Sequence, residues 1–324
     1  MTVFYKQINN RQLSYFSPLA QELVYQPNKN YLFDLSYLAG IHVIGDRAEE
    51  FLQGQLSCDL REVNEKQIRQ GALCNVKGRV LALLDVLHWN HHGLYLILPS
   101  DLSHETQTSL AKTAMFSRVT LQPSTNHQLF GFYLQDPSDT IPFQAELPLN
   151  AHDVMQQDSY CCYHLGNNFY VFLVENNASK ALCDQFINTS QWRGSLSWHA
   201  LQLQQKRIDI YPESRGLFLP HRLDLQLSGY ISFNKGCYKG QEIIARTHYR
   251  AKLKHKMNVF SVHTAEALHS GQKIMSDNGA VEIGELVDYC PLDNDKYLIA
   301  ASVLFEHPTK VLFKGHQHNV VLER

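Results

Sequence analysis

Short apolar runs alternate with polar punctuation along the chain, and the period of the alternation changes from one stretch to the next. Ile41-His42-Val43-Ile44 has the two-residue period of a strand and Gly45-Asp46 the composition of a turn. Ala48, Phe51, Leu52 and Leu56 then recur at the spacing of one helix face. Asp46 stands where an N-cap is needed, and Glu49 three residues on completes a capping box. Gly54 interrupts the helical pattern at a cost of about 1 kcal/mol relative to alanine, so close packing or a ligand is expected where its side chain is missing. Residues 71–76 and 80–89 predict strands, the second joined to 94–98 through Asn90-His91-His92-Gly93, a hairpin signal. Ser100 opens a helix over 101–114, and residues 117–121 return as a strand. The resulting β-α-β-β-β-α-β order predicts an antiparallel sheet covered by helices, an α+β arrangement of ferredoxin-like type.

Pro123-Ser124-Thr125-Asn126 is a turn cluster and marks an internal boundary. Beyond it, 129–134 and 168–174 read as strands and 177–187 and 197–208 as helices, a second module packed on the first. Residues 211–230 are rich in Pro, Gly, Ser and charge without sustained periodicity, which predicts an ordered functional loop. From 256 onward short alternating runs with Gly and Pro between them predict a small C-terminal β-barrel. The fold class is therefore α+β: two packed modules with antiparallel sheets (1–122 and 123–255) and a terminal barrel (256–324). With 324 residues, 44% of them apolar, the chain has material for two or three such modules.

Charge and cysteine usage narrow the function classes. A net charge of −2 excludes a strongly basic nucleic-acid coat protein but leaves local basic surfaces open. The seven cysteines are odd in number and none falls in a C-x-x-C pair, which argues against a disulfide framework and for a reducing, cytoplasmic setting. The first 25 residues lack the basic start and apolar core of a signal peptide. The apolar run 80–84 is cut by Asp85, and no apolar run approaches the ~20 residues that span a bilayer. Cys161 and Cys162, adjacent in an expected strand, point to opposite faces and make a poor ligand pair. His91-His92 and His316-Gln317-His318 lack partner ligands at structural-zinc spacing, so no metal is assigned.

The densest chemistry lies in Lys235-Gly236-Cys237-Tyr238-Lys239-Gly240-Gln241-Glu242, followed by Ile243-Ile244-Ala245-Arg246. Two glycines around a cysteine predict a tight turn that presents the thiol, and the helix start and ammonium groups beside it would stabilise a thiolate. Cys237 is then the reactive group, Lys235 its electrostatic partner, and Gln241 and Glu242 the polar groups that fix the turn. The plainer reading is a glycine-rich turn with an incidental cysteine. Lys77-Gly78-Arg79 places two cations at a turn between strands, suited to an anionic tail or a phosphate, or simply to a solvated hairpin. Between Lys235 and Lys256 seven Lys and Arg face one acid, Glu242, a stripe that can hold RNA phosphates, a polyglutamyl tail or an acidic partner, with Tyr238 and Tyr249 the aromatics within it.

The segment 235–246 resembles the signature of the YgfZ family, folate-binding relatives of the T-protein (aminomethyltransferase) of the glycine cleavage system. Two further stretches fit the family in the same order: Gly45 through Phe51-Leu52-Gln53-Gly54-Gln55 to Asp59, and Cys74-Asn75-Val76-Lys77-Gly78-Arg79. The resemblance implies a bound tetrahydrofolate or derivative, and an accessory role toward iron–sulfur enzymes, including ones that thiolate tRNA. It also implies a folate cleft between the N-terminal modules with Cys237 at its mouth. It makes Trp198, in Trp198-His199-Ala200-Leu201, a folate wall. The second tryptophan of some family members falls at Leu38, with Tyr37 beside it. Lys77 and Arg79 stand for the folate tail, and Tyr238, Gln241 and Glu242 complete the expected set. In the aminomethyltransferases a catalytic carboxylate follows the turn within the next strand; the nearest positions here are Ala82 and Leu83, so aminomethyl transfer is not expected. A cluster held by this protein alone would need several thiolates, which the motif does not supply. The competing readings are a tetrahydrofolate-dependent aminomethyl- or methyltransferase and a direct tRNA-binding module working through the basic stripe.

Overall fold

The computed structural model describes residues 2–89 and 92–323; Asn90 and His91, part of the expected hairpin signal, lie outside them. A hairpin of β1 (Phe4–Ile8) and β2 (Arg11–Tyr15) opens the chain, turning at Asn9, whose φ of 52° is a left-handed conformation that asparagine tolerates. After α1 (Leu19–Glu22) and β3 (Tyr31–Asp34) come β4 (Leu38–Ile44), α2 (Ala48–Gln53), β5 (Arg69–Cys74), β6 (Val80–Trp89), β7 (Gly93–Pro99), α3 (Ser103–Phe116) and β8 (Thr120–Ser124). From β4 to β8 the order is the expected β-α-β-β-β-α-β, and the strands form an antiparallel sheet in the spatial order β5-β6-β7-β4-β8.

Two local expectations for α2 are corrected. The helix begins after Arg47, which pairs with Glu50 at 2.8 Å, and no side-chain cap from Asp46 is formed. Gly54 ends the helix instead of interrupting it. A Cβ there would meet nothing nearer than the Phe51 carbonyl at 3.6 Å, so no packing demand selects it. The chain leaves helical geometry because the next residues join the sheet, with the Ser57 N–H donating to the Ala72 carbonyl and Leu56 bridging Leu73.

The second sheet takes β3 from the N-terminal region and adds β9 (His127–Tyr133), β10 (Val154–Gln156), β11 (Tyr160–Gly166), β12 (Phe169–Glu175) and β13 (Trp192–Arg193). Its order is β10-β11-β12-β9-β3-β13, antiparallel except for the parallel pair β13–β3. Cys161 and Cys162 do face opposite sides of β11. The first joins the main core, and the second joins a smaller cluster in which Leu182 and Phe186 of α4 (Asn176–Asn188) pack on Phe132 and Phe172.

Helix α5 (Ser195–Gln204) is buried from Ser195 to Leu203, as a helix without a solvent face must be. After it come the 211–230 loop, α6 (Gln241–Arg250) and a curled antiparallel sheet. That sheet contains β14 (His255–His263), β15 (Lys273–Ser276), β16 (Glu282–Asp293), β17 (Lys296–Leu304), β18 (Lys310–Phe313) and β19 (Val320–Val321), in the order β14-β17-β16-β15-β18-β19. Ser261 and Glu323 exchange two main-chain hydrogen bonds of 2.7 and 3.0 Å, which draws the chain end back against β14. Helix α5 touches β2, β3, β16 and β17 and so joins the second sheet to the third. Arg11 of β2 adds a buried ionic tie. Its guanidinium reaches Asp101 at 2.9 Å, Asp209 at 2.7 Å and the Ile210 carbonyl at 2.8 Å, while Tyr211 and His199 meet Asp288 at 2.6 and 3.2 Å. No helix among the described residues is long and apolar enough to cross a membrane.

One buried group makes stability pH-dependent. His221, in the 211–230 loop, is enclosed, neither ring nitrogen has a hydrogen-bond partner among the described residues, and its ring lies 5.7 Å from that of His248. Burial, then the His248 charge, pushes its pKa down to about 4. Between pH 6.5 and 4 the unfolded chain therefore takes up a proton that the folded chain refuses, and stability falls as pH falls, by up to about 3 kcal/mol. His221→Leu should remove that slope. In urea unfolding at pH 7 and pH 4, the variant is expected to gain on the wild type by about 2–3 kcal/mol at the lower pH. Parallel pH curves would contradict the assignment.

Candidate functional site: a clasped thiol loop and a two-compartment cavity

The three stretches singled out in the sequence meet in space. The Lys235 ammonium donates to the main-chain carbonyls of Gln53, Leu56 and Cys58 at 2.8, 2.6 and 2.6 Å and lies 5.1 Å from the centre of the Tyr238 ring. Burial pushes its pKa down to about 8, against the pull of Cys58 and Asp59. All three ammonium hydrogens are engaged by carbonyls, so this side chain clasps the 53–58 loop to the cysteine loop. The Lys239 N–H adds a bond to the Gly54 carbonyl at 3.1 Å. Cys237 itself is exposed, a short step before Gly240, the residue that precedes α6.

The two glycines of the motif are not equivalent. Gly240 has φ of 86°, and a Cβ on it would stand 2.5 Å from the Asn75 carbonyl oxygen and 3.0 Å from Gly78 Cα. A Cβ on Gly78 would in turn stand 3.1 to 3.2 Å from Ile243 and Ile244, so the Lys77-Gly78-Arg79 turn is seated on the start of α6. Gly236 has open space around its Cβ direction and no left-handed φ. Gly240→Ala is therefore expected to cost about 2–3 kcal/mol through strain and displaced backbone, and Gly236→Ala less than about 0.5 kcal/mol. Urea unfolding of the two variants checks this, and equal effects would contradict it.

Lys77 and Arg79 are exposed, with the Arg79 guanidinium donating to the Leu217 carbonyl. Tyr238 is buried, Gln241 half-buried and Glu242 exposed. Along α6 and beyond, Arg246, Arg250, Lys252 and Lys254 are exposed. Beside them Phe233 stacks on His248 at 3.9 Å and meets Tyr249 at 6.0 Å, an aromatic group only partly visible in the sequence.

A separate cavity lies under α5. Its inner compartment, about 90 Å³, is lined by Tyr37, Leu38 and Trp198 among others, and adjoins an outer compartment of about 450 Å³. The two share Gln70, Leu83, Leu165, Arg207, Ile208 and Tyr230. The Trp198 indole lies on Gly131, where a Cβ would come within 2.5 Å of the ring, and is flanked by Phe33 and Phe169 at 5.4 and 5.6 Å. Lys206 and Arg207 stand at the outer compartment. None of Lys77, Arg79, Lys235, Cys237, Tyr238, Gln241 and Glu242 lines either compartment, so the structure brings Tyr37, Leu38 and Trp198 together but does not bring the thiol to this cavity's mouth.

Asp85 is the group that the sequence reading passed over. It lines the inner compartment, accepting from Gln70 Nε2 and the Tyr163 hydroxyl at 2.8 Å each, while Arg207 holds the Gln70 oxygen at 3.2 Å. Burial raises its carboxyl above the ordinary carboxylate range, against the donors and the nearby guanidinium. Leu83 also lines the cavity, and Asp85 follows it by two residues on the same strand face; Ala82 is enclosed in the core. The signal was present: Asp85 is the sole acid in the 80–89 run, and Lys206-Arg207 is a cation pair at a helix exit.

No family model matches the chain. Its fold is that of the crystal structure of glycine cleavage system aminomethyltransferase T from Bartonella henselae. The TM-score is 0.76 over 99% of this chain and 93% of that one, at 15% identity. Among sequence relatives, the tRNA-modifying protein YgfZ of Hamiltonella defensa is 31% identical over 214 residues, 65% of this chain and 63% of that protein. The Klebsiella pneumoniae protein of the same name is 28% identical over 79% of this chain and 80% of its own length, and that of Colwellia psychrerythraea 25% over 84% and 85%. The chain is similar to these YgfZ proteins over most of its length. It shares the aminomethyltransferase fold, and at 15% identity that likeness carries the architecture alone. The match to the Hamiltonella YgfZ protein spans less than two thirds of that protein's length.

Proposed function

We propose that the chain binds a reduced folate and acts as a cytoplasmic accessory protein for iron–sulfur cluster assembly or repair, supporting iron–sulfur-dependent tRNA modification indirectly. The observation that carries the folate part is the two-compartment cavity. A reduced folate has a flat pterin, a benzoyl ring and an anionic tail. Trp198, Tyr37 and Leu38 supply apolar and aromatic wall, Gln70, Asp85 and Tyr230 supply polar groups for the pterin edge, and Lys206 and Arg207 supply cations for the tail. The combined space falls in the range of about 300–1,000 Å³ usual for small-molecule sites. The iron–sulfur part rests on the likeness to the YgfZ proteins and on Cys237, the one exposed thiol among the described residues, which would act on clusters carried by client enzymes.

One observation favours a second reading, a tetrahydrofolate-dependent aminomethyl- or methyltransferase: Asp85 places a carboxyl on the cavity wall after all. A third, direct tRNA contact, draws on the exposed cations of α6 beside the Phe233, His248 and Tyr249 rings. Titration of tetrahydrofolate onto the purified protein, followed by tryptophan fluorescence, is expected to saturate near one equivalent without turnover of a one-carbon donor. Absence of saturable binding would overturn the proposal. Turnover lost in Asp85→Asn would transfer the assignment to the second reading.

A further inference from the structure

We propose that His92, His127 and Glu175 form a binding site for one first-row divalent transition metal ion, Zn²⁺ or a chemically similar ion, at the sheet ends remote from the folate cavity. One ligand atom from each of these three side chains lies within 4.8 Å of the other two. His127 and Glu175 are directly opposed across the β9–β12 pair, a register that sets their Cβ atoms about 5 Å apart independently of side-chain detail. His92 comes from the β6–β7 connection, so three separate segments of the chain converge on one point.

The surroundings orient these groups as ligands are oriented. His127 Nδ1 bonds the Ser124 hydroxyl at 3.0 Å, which leaves Nε2 for an ion, the arrangement by which metal-bound imidazoles are held in place. The His92 ring lies 4.6 Å from the Trp89 ring and nearly perpendicular to that of His127 at 5.4 Å, and its main chain bonds the His42 ring. Among the described residues no lysine or arginine forms an ion pair with Glu175, so no fixed cation answers its charge. Ligands on one tetrahedral ion sit about 3.4 Å apart, which rotamer adjustment of three half-buried side chains can reach. Two imidazoles and a carboxylate select zinc, nickel, cobalt or ferrous iron over the all-oxygen preference of magnesium and calcium, and three protein ligands leave coordination positions for water.

The test uses the full chain, stripped by chelator and titrated with Co²⁺ as the optical probe, then with Zn²⁺ in competition. In a Cys237→Ser background, which removes the exposed thiol as an adventitious ligand, one equivalent of Co²⁺ is expected to develop visible d–d absorption that Zn²⁺ abolishes. His127→Ala and Glu175→Gln should each weaken binding by tenfold or more. Ser124→Ala, which leaves every ligand in place, should weaken it by about tenfold. His316→Ala should change nothing. Titrations indistinguishable between the parent and both ligand variants, or bands that vanish with Cys237→Ser alone, would overturn the proposal.

Discussion

Lys235→Met should lower stability by about 3 kcal/mol and loosen the cysteine loop, because the substitution leaves three converging carbonyls without their donor. Each lost bond to a charged group is worth about 1.5–3 kcal/mol, offset in part by the removed cost of burying an ammonium. Methionine keeps the apolar stem against Tyr238, so the loss reports the ammonium rather than a cavity. Two readouts follow: the urea midpoint falls, and alkylation of Cys237 changes rate as the loop detaches from residues 53–58. Stability equal to the wild type would show that the clasp is dispensable.

Trp198→Ala should cost about 3–5 kcal/mol, the usual range for truncating an enclosed aromatic. The indole is sandwiched by Phe33, Phe169 and the bare backbone of Gly131, so its removal opens a void into the inner compartment and takes away the wall proposed for the pterin. Gly131→Ala approaches the same contact from the other side. Its methyl would need the space of the ring, and a cost of about 1–3 kcal/mol is expected from overpacking. Urea unfolding measures both, and a Trp198→Ala loss below about 1 kcal/mol would mean that the ring is not packed as described.

What could be read from the sequence was local and periodic. The β4-to-β8 order was legible because β6 is long and the α2 and α3 patterns stand between turn residues. The opposed faces of Cys161 and Cys162 followed from strand geometry alone. The N-terminal hairpin was missed although Asn9-Asn10 is a turn signal, since Phe4 and Tyr5 lie exposed and blur the inside–outside alternation. Strand β11 was expected at Cys161-Cys162 but its extent was not legible, for the opposite reason: Tyr160 through Leu165 is buried on both faces and so shows no alternation. The contribution of β3 to the second sheet is a long-range pairing that no local pattern carries.

The candidate site divides in the same way. Lys235, Cys237 and Gly240 stood out by composition, yet only the fold shows that the ammonium clasps carbonyls and that Gly240, not Gly236, meets a steric demand. Asp85, Gln70, Tyr230 and Arg207 come from four separated segments, and nothing in their spacing announces one cavity.

Equilibrium dialysis of tetrahydrofolate against the wild type, Trp198→Phe, Leu83→Phe and Cys237→Ser addresses the central claim most directly, namely that the ligand lies under α5 and apart from the thiol. The account requires one saturable equivalent for the wild type, unchanged affinity in Cys237→Ser, and at least tenfold weaker binding in both cavity variants. Binding that survives Trp198→Phe and Leu83→Phe but is lost in Cys237→Ser, or no binding at all, would contradict it.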